Sequence, residues 1–279
     1  MIARIPAELP RHDLFGVKVC PTTYDQAVAW SIQRARTGQG ACVDLMAVHS
    51  LVTASRDRRY QDRINTFEVV APDGQPVRWG LNYFYRAGLT DRVYGPEFTI
   101  RLCKAAADEG VPIYLFGGTD EVLAKFVARL KEKFPRLQIA GAEAPPFRPL
   151  TPEEDAAVIE RVNQSGAGLM FIGIGCPKQE HFAFEHRHSI HAVQLCVGAA
   201  FDFHAGVKKI APAWMQRRGL EWLYRLVSEP GRLWKRYLVT NSIYLMLFFK
   251  KAIFDGRVPK GERPMIDDGE DAADQPTPV

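Results

Sequence analysis

Val69-Val70-Ala71-Pro72-Asp73-Gly74-Gln75-Pro76-Val77-Arg78-Trp79 is the stretch whose reading decides the fold. A short, β-branched apolar run ends in a carboxylate and a glycine, and a helix start follows. A strand that delivers an Asp to its C-terminal end is how open α/β sheets bring a reactive group to their ligand crevice. Gly74 permits the tight turn and Pro76 suits a first helical turn. The same residues also fit an Asp that merely caps the next helix.

Working outward, the same alternation continues. Strands are expected at Phe15–Val19, Ala41–Met46, Thr66–Ala71, Pro112–Phe116, Leu137–Ala140, Gly168–Ile172 and Ala192–Val197. Helical patterns lie between them: Tyr24–Arg36, Val48–Arg56, Pro76–Ala87, Pro96–Glu109, Glu121–Phe134, Pro152–Gln164 and Pro177–Arg187. Such alternation predicts an α/β fold, a mostly parallel sheet with helices on both faces. A chain of 279 residues, 47% hydrophobic, is large enough to bury one substantial core. The expected organisation is an α/β catalytic domain over 1–205, a basic helical appendage over 206–260 and a disordered acidic tail over 261–279.

Composition narrows the class. Met1–Arg11 lacks the charged-then-apolar order of a signal peptide, and no apolar run approaches the ~20 residues that span a bilayer. Five widely spaced cysteines argue against a disulfide framework or a zinc site and for a reducing compartment. Val207–Lys260 holds twelve basic residues against three acidic ones. Its expected helices, Gly219–Val227 and Gly231–Phe254, are dense in Trp, Tyr, Leu and Phe. A basic, aromatic surface suits an anionic membrane, a nucleic acid or an oligomer interface.

Three expected strands end in glycine-bearing turns: Phe116-Gly117-Gly118, Ile172-Gly173-Ile174-Gly175 and Val197-Gly198-Ala199. Glycine between strand and helix lets backbone approach a phosphate, and the helix N-terminus supplies N–H donors. The dinucleotide and P-loop fingerprints are both absent, which argues against those two nucleotide-binding classes. His181, His186, His188 and His191 cluster without a metal-ligand motif, and Cys176 has no His at a recognisable distance; both read as structural.

Asp73-Gly74, Arg92-Val93-Tyr94-Gly95, Gly175-Cys176-Pro177-Lys178-Gln179-Glu180, Val197-Gly198-Ala199-Ala200-Phe201-Asp202-Phe203 and Gly219-Leu220-Glu221-Trp222-Leu223-Tyr224-Arg225-Leu226 occur in that order. Together they resemble the WecG/TagA/CpsF glycosyltransferase family over roughly Leu14 to Leu238, nearest the branch associated with exopolysaccharide assembly. The resemblance implies a Rossmann-like fold and transfer of a sugar from a UDP-sugar to a saccharide on a polyprenyl diphosphate, with inversion and without a metal or other cofactor. It implies Asp73 as general base and Gln179 as a second catalytic position. Arg92, Gly117, Gly118, Gly175, Lys178, Gly198 and Asp202 become candidate substrate-binding residues, and Arg217, Arg218, Arg225 and Arg232 candidates for clamping the diphosphate. Among partners it favours the cytoplasmic membrane face and a homo-oligomer over nucleic acid. One departure stands out. Many members carry a Thr-x-Asn element where this chain has Leu45-Met46-Ala47-Val48-His49, and His49 is either its substitute or an ordinary helix-start histidine. The competing reading is a non-catalytic nucleotide-sugar-binding scaffold or sensor at the membrane.

Overall fold

The computed structural model describes residues 6–256, except for the side chains of Ala213, Arg217 and Arg232. The chain opens on an antiparallel hairpin, β1 (His12–Leu14) and β2 (Val17–Val19), which forms its own two-stranded sheet. Phe15 and Gly16 turn it, both at positive φ, the geometry a two-residue hairpin loop requires. The expected single strand Phe15–Val19 therefore starts too early: Phe15 belongs to the turn. Cys20 N–H donates to the Val70 carbonyl at 2.7 Å and ties the hairpin to the main body.

Next come α1 (Tyr24–Arg36), β3 (Ala41–Met46), α2 (Val48–Arg56), α3 (Arg58–Ile64) and β4 (Val69–Pro72). Thr23 and Gln26 close a reciprocal capping box at the start of α1. Asp57 starts α3, which the hydrophobic pattern did not reveal, by accepting from Tyr60 N–H at 3.1 Å. The chain continues through α4 (Gln75–Tyr85), α5 (Gly95–Glu109), β5 (Ile113–Gly117), α6 (Asp120–Lys133) and β6 (Ile139–Glu143). Then follow α7 (Pro152–Gln164), β7 (Leu169–Gly173), α8 (Lys178–Glu185) and β8 (Val193–Cys196). Four helices close the described chain: α9 (Ala200–His204), α10 (Ala213–Arg217), α11 (Glu221–Ser228) and α12 (Pro230–Phe254).

The six main strands pair in the order β4-β3-β8-β7-β5-β6, every pair parallel. Helices cover both faces, so β3, β4 and β8 are buried along their whole length and are apolar apart from Asp44 in β3 and Gln194 in β8. Alternate residues of β3 feed two cores: Val43 and Leu45 join Trp30, Phe98, Phe126 and Phe201, while Cys42 and Met46 join Tyr60, Phe67 and Phe84. With all strands parallel, every C-terminal end opens on the same edge of the sheet, where ligands of such folds bind.

α12 is part of the second core rather than a free arm. Tyr244 is buried there, its hydroxyl donates to the Pro76 carbonyl, and its ring lies 5.5 Å from Phe15. Phe248 packs against Phe84 with ring centroids 4.9 Å apart and planes tilted by 49°. This contact lays the C-terminal helices across the crevice. Residues 257–279, including the expected acidic tail, lie outside the described residues.

Candidate active site

β4 pairs with β3 in register, Met46 opposite Pro72, so Asp73 emerges at the crevice with its N–H on the Met46 carbonyl at 3.1 Å. Gly74, not Asp73, is the N-cap of α4, and no side chain caps that helix. The capping reading of Asp73 therefore fails, and its carboxylate is left for other work. The carboxylate faces the start of α5, where the Gly95 N–H draws its pKa down.

Two cavities meet at Asp73. The first, about 410 Å³, is floored by the ends of β3, β7 and β8 and lined by Gly175, Gln179, Gly198, Asp202, Lys208 and Arg225. The second, about 370 Å³, lies between the start of α4 and the C-terminal helices, with Trp79, Arg92, Tyr94, Trp222, Tyr237 and Tyr244 in its walls. Asp73, Ala47, His49, Arg225 and Arg236 line both. One cavity is thus polar and glycine-bearing, the other aromatic, with a carboxylate at their common wall.

The surroundings of Asp73 set its chemistry. Burial is the largest effect and pushes its pKa up to about 7. Arg92 opposes this, Glu221 adds to it, and Arg225 and the Gly95 N–H oppose it again. A carboxyl balanced near neutrality is suited to take a proton from a hydroxyl. Arg92 is itself buried, ion-paired with Glu221 of α11, and its guanidinium lies 4.4 Å over the Tyr94 ring. That pair joins the crevice to the C-terminal helices.

The structure brings together most, but not all, of the candidate residues. Asp73, Gly175, Gln179, Gly198, Asp202 and Arg225 share the first cavity. Gly118 and Lys178 instead line a third, of about 770 Å³, which adjoins the first at Gly173, Ile174 and Asp202. Arg92 lies in the second. Gly117 lines none of the three. At φ 142° it crosses β7 so closely that a Cβ would sit 2.6 Å from the Gly173 carbonyl carbon, so its role is in packing the sheet. Arg218 is exposed, 6.0 Å from the Trp214 ring and apart from these cavities. The side chains of Arg217 and Arg232 lie outside the described residues.

Sequence reasoning missed Lys208, Arg236 and Glu221. Lys208 pairs with Asp202. All three were counted in the charged stretch, but charge spacing along helices does not say which side chains face a crevice. Of the histidines, His186 bonds Asp155 at 2.9 Å and His181 bonds Arg63 at 2.9 Å, both structural. Among the described residues, no group of three His, Cys, Asp or Glu is arranged to hold a metal ion. Burial pushes the Cys176 thiol up to about 12, which removes it as a thiolate nucleophile.

The all-parallel sheet and its C-terminal crevice define a Rossmann-like α/β protein. Within that class the chain belongs to the glycosyl transferase WecG/TagA/CpsF family, whose model matches residues 12–257. Membership implies a nucleotide-sugar donor and a glycan acceptor.

Proposed function

We propose that the protein is an inverting glycosyltransferase that moves a sugar from a UDP-sugar to a polyprenyl-diphosphate-linked saccharide at the cytoplasmic face of the membrane, in exopolysaccharide or other cell-surface glycan synthesis. The observation that carries the reading is the place of Asp73 on the wall common to a polar, glycine-bearing cavity and an aromatic one. The donor's sugar and diphosphate occupy the first cavity, and the nucleoside extends past Asp202 toward Gly118 and Lys178 in the third. The acceptor's terminal sugar enters from the second, where Trp79, Trp222 and Tyr237 offer faces to stack on.

In the reaction, Asp73 takes the proton of the acceptor hydroxyl as its oxygen attacks the anomeric carbon. The bond from that carbon to the diphosphate oxygen breaks, and its electron pair leaves with UDP. A single carboxylate acting as base fits one displacement and hence inversion. Charge on the departing diphosphate is met by Lys208, Arg225 and Arg236 and by backbone N–H groups. Metal independence belongs to the same proposal. The carboxylates lining the first cavity are Asp73, needed as base, and Asp202, engaged by Lys208.

Membrane association draws its support from α12. Leu238, Leu245, Met246, Phe249 and Ile253 are exposed along one stripe, with Lys250 beside it. No helix among the described residues is long and apolar enough to cross a membrane. An apolar stripe flanked by lysines suits an interfacial helix, each basic residue contributing about 1 kcal/mol near an anionic surface.

The test is UDP release from a panel of UDP-sugars with a short-chain polyprenyl-diphosphate sugar as acceptor, with and without EDTA. Acceptor-dependent release from one donor, indifferent to EDTA, is the expected result. UDP binding with no release across the panel would overturn the catalytic reading in favour of a nucleotide-sugar-binding scaffold.

A further inference from the structure

Beneath the first cavity lies a pair of buried acids outside the mechanism above. Asp44, within β3, is fully buried, and Glu180, in the first turn of α8, is 1% exposed. The two carboxyls lie within hydrogen-bonding reach of each other. Beyond looser contacts from the Leu45 N–H to Asp44 and from the Cys176 thiol to Glu180, neither oxygen of Asp44 nor Oε2 of Glu180 has a well-formed hydrogen bond among the described residues. The titratable groups facing the pair are Tyr60, Cys176, Cys196 and Asp73, and none of them is cationic. Two ionised carboxylates cannot be held there; one proton between them turns the contact into a hydrogen bond. Glu180 already accepts from Gln179 Nε2 at 2.9 Å, which favours its ionised form, whereas the fully buried Asp44 has no such bond to hold a charge, so the proton sits on Asp44.

The consequence reaches the cavity through Gln179. Its Nε2 donates to Glu180 Oε1 at 2.9 Å, and its Oε1 accepts from the Gly198 N–H at 3.0 Å. These two bonds fix which end of the amide is which. With Oε1 and one Nε2 hydrogen engaged, the group Gln179 has left for the cavity it lines is its second Nε2 hydrogen.

We propose that Asp44 is a positioning residue for the transfer reaction: it holds the pair's single proton and donates it to Glu180, so that Glu180 anchors Gln179 as a hydrogen-bond donor to an oxygen of the bound sugar-diphosphate. The inference rests on the glycosyltransferase reading for its effect on rate, but not for the pairing itself. In sequence, Asp44 immediately precedes Leu45-Met46-Ala47-Val48-His49, the stretch that departs from the family's Thr-x-Asn element.

Two measurements test it. Infrared spectroscopy of the ligand-free protein in an Asp73→Asn background, where the near-neutral Asp73 carboxyl contributes no band, should show a protonated-carboxyl C=O stretch that disappears on adding Asp44→Asn, whatever the protein catalyses. Its persistence after that addition would overturn the assignment of the proton. In the transfer assay, Asp44→Ala should lower kcat by about ten- to a hundredfold, the scale of one hydrogen bond to a charged group. Asp44→Asn carries a permanent N–H donor and should recover most of that loss. Asp44→Ala/Gln179→Ala should be no slower than Gln179→Ala alone. Losses that multiply in the double variant, or an Asp44→Asn as slow as Asp44→Ala, would refute the positioning role. Should Asp44→Ala fail to fold, the infrared band and the Asp44→Asn rate decide the matter. Should no transfer be found with any donor, the side-chain amide resonances of Gln179 titrated with UDP replace the rate. They should shift in the wild type, and an unmoved signal would count against the proposal.

Discussion

Replacing Asp73 by Asn separates catalysis from stability in a way that follows from its surroundings. In the folded protein the carboxyl pKa is raised from 3.8 to about 7, with burial the leading cause. At about 1.36 kcal/mol per unit, holding Asp73 ionised in its place costs the fold on the order of 4 kcal/mol. The sign is fixed by the direction of the shift. The folded state binds the proton more tightly, so the cost is absent below pH 3.8, grows between 3.8 and about 7, and is complete above. Asn is neutral at every pH and nearly the same shape. Asp73→Asn should therefore unfold at a higher temperature than the wild type at pH 8, by several degrees for a chain of this length, and at nearly the same temperature at pH 4. Turnover should move the other way. Loss of a general base lowers kcat by about a hundredfold or more while UDP affinity stays near normal. The wild-type kcat should fall about tenfold per pH unit below 7, whereas the residual rate of the variant should lack that limb. Chemical or thermal denaturation at the two pH values, with UDP titration and a pH–rate profile, makes the comparison. A variant that is destabilised at pH 8, or that turns over at the wild-type rate, would refute the reasoning.

Three further outcomes are expected. Glu221→Ala leaves Arg92 buried without its partner and should cost about 3–5 kcal/mol in denaturant unfolding. Because Glu221 raises the Asp73 pKa, Glu221→Gln should also shift the acid limb of kcat to lower pH. Gly117→Ala puts a methyl carbon into the Gly173 backbone at a φ that alanine resists, and should lose about 3 kcal/mol or more or fail to fold, as read by thermal melting. Phe249→Ser/Ile253→Ser, on the exposed stripe of α12, should weaken binding to anionic liposomes at least tenfold with the melting temperature nearly unchanged.

The alternation of strand and helix was legible because it rests on local physics. Buried parallel strands are mostly apolar runs, and the helices carry their own starts, as Thr23 and Thr151 do with their capping boxes. α1, α2 and α7 coincide with the sequence reading at both ends. The misses were equally local in origin. α3 and α9 are only seven and five residues long, too short to show a helical period, and the β1–β2 turn hides inside an apolar run. Asp73, Gln179 and the glycine turns could be named because a strand's C-terminal end fixes where the next residue points.

What the sequence by itself determined, then, is the parallel sheet, the edge on which its loops gather and the residues at those strand ends. The order of strands, the pairing of Arg92 with Glu221 and the choice of Lys208, Arg225 and Arg236 among the C-terminal cations were settled only by tertiary structure. So was the meeting of Asp44 with Glu180, which are 136 residues apart in the chain. The reason is physical: periodicity reports which face of an element is buried, but not against what. A buried charge can persist only where packing brings it a partner, and that partner comes from another element.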